Sequence, residues 1–428
     1  MQAIDSQMWP SIAVAPTAPF LARRAKKAEA DLAQACLQAG IELGGDSPEL
    51  VVHRDTLFAR IANAGWLGIA EGYMAGEWEA ADLPGVLAKL LATDYNPKTP
   101  NGGEPSRYDG REVPPDLIAL HAGDAMSAHG TLFSAGVPTK ERVSVKSFVH
   151  GAGKANEPAT HFVDVTSLSM ASEVEKADLA DGQLRALSTL FDASNVGTGS
   201  HILEFPVSSA APALAAVARK ATVDVYSADI EVLRDVSALL GQHSEAADVR
   251  TAEFDLTHPQ VRGVQGNFDA IISLEKLESM DPKTQMQYVR QLDNLLNPTG
   301  YVGLQTVVAT EKFGAAANNS LSVLRAYIWP GLNMRTSEQL HQVFDRNSSL
   351  RIIGELHFGA HYVEGLRLQR EMFEGKLREA AAAGFDAVYR RLWFYQLSLR
   401  EALFRINALD AVQATITRRA RRGKQLHR

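Results

Sequence analysis

Cysteine is almost absent from this chain: Cys36 is the one thiol in 428 residues. A disulfide scaffold is therefore excluded, and so is a zinc site built from cysteines. A lone thiol favours the cytosol without fixing the compartment. Long apolar runs are also missing, and none approaches the ~20 residues that cross a bilayer. The opening Met1-Gln2-Ala3-Ile4-Asp5 has no basic stretch ahead of an apolar one, so a secretory leader is not expected. Positive charge is not in excess: 43 Lys and Arg against 50 Asp and Glu leave a net charge of −7, which argues against nucleic acid as the main partner. Glycine is missing where a nucleotide-like cofactor would want it, directly after the first strand of the α/β region described below.

What is present reads as a globular protein of two or three domains, since 46% hydrophobic and 22% charged residues are enough to build cores and keep them soluble. Basic residues cluster twice, at Arg23, Arg24, Lys26 and Lys27 and at Arg418, Arg419, Arg421, Arg422, Lys424 and Arg428. On an acidic protein such clusters can hold an anionic membrane surface; a solvated helix end is the plainer alternative. Prolines at positions 10, 16 and 19 suggest a loose arm over residues 1–20. Helical spacing of apolar residues then defines a helical domain over 21–95, and a Pro-, Gly- and Asn-rich stretch opens a linker over 96–145.

From about residue 181 strands and helices alternate, which predicts a doubly wound, mostly parallel sheet. The strands are His201–Phe205, Thr222–Tyr226, Phe268–Ser273 and Tyr301–Val308, with helices over 210–220, 230–240 and 284–296. The last sixty residues read as helical and aromatic. Ligands of such a sheet bind at the carboxyl ends of its strands. There the first strand runs into Pro206-Val207-Ser208-Ser209-Ala210, with no glycine and one backbone donor removed by proline. Glu204, Asp229, and Glu253 or Asp255 stand at strand ends, where carboxylates accept from a ribose or an amine; capping a helix or facing solvent is the alternative for each. Glu275 and Glu278 are neighbours if a helix begins there, and either can act as a base at a pocket mouth. Tyr362 can reach the same site. His357 and His361 read as structural. Gly151-Ala152-Gly153-Lys154 reads as a plain loop because it lacks the full phosphate-loop spacing.

Three stretches carry a resemblance. Leu67-Gly68-Ile69-Ala70-Glu71-Gly72-Tyr73-Met74-Ala75-Gly76-Glu77-Trp78, Phe268 to Glu278, and Tyr327-Ile328-Trp329-Pro330-Gly331 through Phe358-Gly359-Ala360-His361-Tyr362 to the end resemble the cyclopropane-fatty-acyl-phospholipid synthase family, in its actinobacterial branch. The resemblance implies a class I methyltransferase fold: a Rossmann-like doubly wound α/β sheet over 146–428, an N-terminal helical domain, a helical C-terminus and an acyl-binding cover over about 309–400. It implies S-adenosylmethionine and bicarbonate as cofactors. It places Glu204, Ser208, Asp229 and Glu253 at the first and Glu278, Tyr362 and Gln305 at the second.

Departures fall on that chemistry. Where the family has Glu-Ile-Gly-Cys-Gly-Trp-Gly, this chain has Glu204-Phe205-Pro206-Val207-Ser208-Ser209-Ala210. The family's His-Tyr-Asp is matched to His150-Gly151-Ala152, its Tyr-Ser-Cys to Ser169-Met170-Ala171, and its Glu-His-Val to Glu278-Ser279-Met280. The expectation is a family member that binds unsaturated acyl chains of phospholipids with methyl transfer lost or strongly altered. The alternatives are an active methyltransferase, or a non-catalytic partner of another lipid enzyme. The expected location is cytoplasmic and peripheral at the inner face of a membrane, with a homodimer or a lipid-enzyme partner as the assembly.

Overall fold

A computed structural model describes residues 4–17, 20–43, 47–99, 113–154, 157–246, 249–254 and 267–419. Asp255 and the basic residues Arg421, Arg422, Lys424 and Arg428 lie outside them. No described helix is long and apolar enough to cross a membrane. The chain divides into two units, each assembled from separate segments.

The first unit joins residues 1–111 to 310–330 and 366–409, so two parts of the stretch 309–400 belong with the N-terminal helices. Its helices include Leu21–Ala39, Thr56–Ala64, Trp66–Met74, Leu83–Ala92 and Ala387–Arg405, beside a two-stranded ladder of β1 (Leu50–Val52) and β2 (Trp78–Ala80). Gly65 has φ +60 and breaks the second helix from the third. Gly68 lets them touch, because a Cβ there would lie 2.1 Å from the Arg60 carbonyl oxygen. The segment expected to be a loose arm is anchored among its described residues at Trp9 and Ile12. Pro10–Ala13 is a helical turn, Ile12 is buried, and the Trp9 indole donates to Asp386 at 2.6 Å. Fully buried Arg60 explains this order: it pairs with Glu77 at 3.0 Å and donates to the Ile12 carbonyl at 2.8 Å. A buried guanidinium must find such acceptors, and breaking one costs about 3–5 kcal/mol. Arg23, Lys26 and Lys27 sit exposed in the first two turns of Leu21–Ala39. That end of a helix repels cations, so dipole complementation does not account for them.

The second unit holds a nine-stranded sheet: β3 (Pro138–Lys146), β4 (Thr160–Leu168), β5 (His201–Glu204), β6 (Thr222–Ser227), β7 (Arg250–Glu253), β8 (Phe268–Leu274), β9 (Leu296–Ala309), β10 (Leu350–His357) and β11 (Leu409–Arg418), in the order β3-β4-β10-β11-β9-β8-β5-β6-β7. β5 runs parallel to β6 on one side and to β8 on the other, so the strand order reverses there. Alternate side chains feed two cores. Leu203, Ile271 and Leu304 enter one, and Ile202, Val223 and Ile272 the other. That burial on both faces is why these strands read as apolar runs.

The ends of the sheet depart from expectation. β3 and β4, an antiparallel pair added beside β10, occupy residues expected to be linker and domain border. β3 is exposed along most of its length, so it shows no buried face to betray it. β9 begins at Leu296 rather than at the expected Tyr301, and a register shift opposite Phe268 and Ala270 absorbs the difference. The helical C-terminus ends at Arg405, and the chain returns to the sheet as β11. Arg418 and Arg419 lie at that strand's end and are tied down by the Leu296 carbonyl at 2.8 Å and the Ser348 carbonyl at 2.6 Å.

Candidate functional site

At the reversal of strand order, Glu204 ends β5 with its side chain buried. One carboxyl oxygen accepts from the Ser208 N–H and the Ser208 hydroxyl, both at 2.8 Å, while the other has no hydrogen-bond partner among the described residues. Burial pushes its pKa up to about 7. The loop beyond it is closed by its own main chain. The Phe205 N–H donates to the Ile272 carbonyl at 3.0 Å and the Val207 N–H to the Tyr226 carbonyl at 2.8 Å. Pro206 has no donor. Phe205 meets Phe254 edge-on at 5.0 Å, and the Tyr288 hydroxyl donates to the Phe205 carbonyl at 2.7 Å. Beyond the end of β5 the chain thus keeps hydrogen bonds to both neighbouring strands, at Ile272 and Tyr226.

Of the residues expected to hold S-adenosylmethionine, Glu204 and Ser208 bind each other. Asp229 caps the helix Ile230–Leu240 through the Glu231 and Val232 amides at 2.9 and 3.3 Å, and Glu253 is exposed at the end of β7. A nucleoside cofactor laid against such a strand needs N–H groups facing it and no Cβ in its path. Between Phe205 and Ser208 every amide donor is already engaged and every residue carries a Cβ, so the loop as folded does not fit that group.

A second polar cluster lies where β8 gives way to its loop. Glu275 has φ +54 and its N–H donates to the Gln305 carbonyl at 2.8 Å. Its carboxylate accepts from the Gly130 N–H at 2.6 Å, from Gln305 Nε2 at 2.8 Å and from the Tyr362 hydroxyl. Gln413 on β11 donates to Gln305 Oε1 at 2.9 Å and so fixes which end of that amide faces Glu275. Gln305 and Tyr362 therefore do meet a carboxylate, but the one at the tyrosine hydroxyl is Glu275. Glu278 points to β9, where it accepts from the Thr306 hydroxyl at 2.7 Å and the Val307 N–H at 3.1 Å. The expectation rested on a helix starting at Glu275. Glu275 instead takes a left-handed φ, and the two carboxylates bind different partners. Burial first, and then the charge of Glu275, raise the Glu278 pKa to about 7.

Two further residues of this cluster escaped the sequence. The histidine motif matched to His150 falls in an exposed loop. At the cluster stands His129-Gly130-Thr131, which has the same leading histidine. His129 Nε2 lies 3.2 Å from the Gln183 carbonyl, and burial lowers its pKa so that the ring stays neutral. Gly130 has no room for a side chain, since a Cβ would lie 2.1 Å from Tyr362 Cζ. His361 Nδ1 accepts from the Phe133 N–H at 3.0 Å and its Nε2 donates to the Ser169 carbonyl at 3.0 Å. His357 binds Asp410 at 2.7 Å. Both are thus hydrogen-bonded within the fold.

Comparison with known proteins agrees with the architecture. Residues 166–414 match the mycolic acid cyclopropane synthetase family. Tuberculostearic acid methyltransferase UfaA1 of Mycobacterium tuberculosis is 28% identical over 97% of this chain and 96% of its own length. Cyclopropane-fatty-acyl-phospholipid synthase of Escherichia coli K12 is 22% identical over 91% of this chain and 94% of its own. The solved cyclopropane synthase MmaA2 from M. tuberculosis shares the fold with a TM-score of 0.51 at 18% identity, over 57% of this chain and 87% of that one. The match spans the sheet from the end of β4 into β11, together with the Glu275 cluster's acceptor and its tyrosine, and on that ground the chain belongs to the mycolic acid cyclopropane synthetase family.

Proposed function

We propose that this protein binds unsaturated acyl chains of lipids and has lost, or strongly altered, methyl transfer from S-adenosylmethionine. The observation that carries the reading is the closed loop after β5, in which Phe205, Val207 and Ser208 give their N–H groups to the protein itself. The acyl part draws on the family and on a cavity of about 530 Å³ in the first unit. Val51, Tyr73, Leu377 and Phe394 supply its apolar wall, and Arg390 and Arg391 together with Glu79 and Glu374 its charged rim. That size lies within the ordinary range of small-molecule sites.

Titration calorimetry with S-adenosylmethionine and with S-adenosylhomocysteine tests the cofactor half. No saturable heat at millimolar ligand is expected, while vesicles carrying oleoyl chains bind. Micromolar binding of either compound overturns it. A second reading, retained methyl transfer, is favoured by the Glu275 carboxylate held by three donors, an arrangement that fixes where a base would point. Mass spectrometry of oleoyl lipid incubated with protein and S-adenosylmethionine separates the two: a one-carbon mass gain supports the second reading, and unchanged lipid supports the first.

A further inference from the structure

Gly151 and Ala152, from the turn Gly151-Ala152-Gly153-Lys154 that has no part in either cluster above, help to form one wall of an open groove of about 640 Å³ in the second unit. Lys146 ends β3 on one side, and Arg346, in the last turn of the helix Ser337–Asn347, faces it from the other. Phe148 lies between them. Lys146 Nζ is 5.5 Å and Arg346 Cζ 6.0 Å from its ring centroid. His150 is exposed on the same wall.

Two cations brought to one ring repel each other unless a negative charge answers them. Here none does: no acidic side chain lines the groove, and neither Lys146 nor Arg346 has an ion pair among the described residues. Gln342, a neutral amide, lines the groove beside Arg346. The nearby carboxylates are taken elsewhere. Asp345 accepts from the Phe148 N–H at 2.8 Å and faces Arg351 and Arg419 at 3.5 Å, and Glu157 is bound by Arg351 and by the Ser147 hydroxyl at 2.9 Å. The loop also leaves donors. Gly151 takes φ +83, and the His150 and Gly151 amides have no partner among the described residues. Consecutive amides at such a turn form an anion-binding concavity.

We infer that this groove is a phosphate-ester site, with Lys146 and Arg346 as charges and the His150 side chain and the His150–Gly151 amides as donors. A guanidinium, an ammonium and main-chain N–H groups together are the chemistry that holds a tetrahedral oxyanion. The phosphate of a lipid headgroup and that of a soluble ester present the same oxygens, so the groove accepts either. Seven of its nine lining residues precede residue 166, where the segment matched to the family begins. The site does not depend on the reading of the loop after β5.

The test uses the full-length protein. Inorganic phosphate is titrated by calorimetry, and flotation is measured with phosphatidylglycerol and with phosphatidylcholine vesicles. The variant K146A/R346A removes both charges at exposed positions; K26A/K27A is the control for the other basic cluster. With about a tenfold or smaller effect expected per charge near a lipid surface, K146A/R346A should weaken binding about 30-fold. Loss on phosphatidylglycerol vesicles identifies a lipid headgroup as the source. Loss on inorganic phosphate without vesicle binding identifies a soluble ester. Either supports the site. It is overturned if the parent protein binds neither probe, if K146A/R346A binds as the parent does, or if only K26A/K27A loses binding.

Discussion

Gly130→Ala is expected to destabilise the second unit by about 3 kcal/mol, the upper end of what forcing a methyl into a filled core costs. A Cβ at this position would sit 2.1 Å from Tyr362 Cζ and 2.4 Å from its hydroxyl oxygen. Neither side can yield easily. Tyr362 is fully buried on the helix Gly359–Gly375, and the Gly130 N–H is held by Glu275 at 2.6 Å. The new methyl must push the tyrosine off the carboxylate or pull the Gly130 amide from it. A double-mutant cycle assigns the cause. In a Tyr362→Ala background, urea unfolding should show the Gly130→Ala penalty shrinking below about 1 kcal/mol, because the clashing ring is gone. An equal penalty in both backgrounds would show that Gly130 matters for some reason other than Tyr362.

The second large effect concerns pH. Glu204 and Glu278 both have folded-state pKa values raised to about 7, through burial in each case and through Glu275 as well for Glu278. A raised pKa means that the folded protein binds a proton more tightly than the unfolded chain does. The stabilisation is therefore complete below the unfolded value near pH 4.5 and is lost as pH rises towards 7. At 1.36 kcal/mol per unit, each group removes about 3 kcal/mol across that window. Glu204→Gln keeps an acceptor for Ser208 and cannot ionise. It should flatten the fall in unfolding free energy between pH 5 and pH 8 and leave the variant more stable than its parent at the alkaline end. Glu278→Gln should do the same through Thr306 and Val307. Parallel pH profiles for variant and parent would place the ionisation elsewhere.

The central strands were legible because burial on both faces leaves apolar runs that periodicity detects, as in His201–Glu204 and Phe268–Leu274. β3 and β4 were not, because their order comes from pairing with each other and with β10 rather than from a buried face. Glu204 was found by its place at a strand end, but its occupation by Ser208 follows from how the loop after β5 folds, which no spacing announces. Glu275 was seen as a candidate and its neighbour preferred, since a helix was assumed where the backbone instead turns left-handed. Gly130 and Gln413 join Glu275 and Gln305 from 145 and 108 residues away in sequence, and contacts that long leave no local trace.

The burial of Arg60 bears on how the protein is handled. Its guanidinium takes acceptors from Ser11, Ile12 and Glu77, so the first dozen residues complete a charge buried in the helical unit. Trimming the chain past Ala13, a natural choice for a segment that looks dispensable in sequence, would strip away both carbonyls and leave the carboxylate of Glu77 to hold that charge without them. A purification tag belongs ahead of this segment, and a shortened version should keep it.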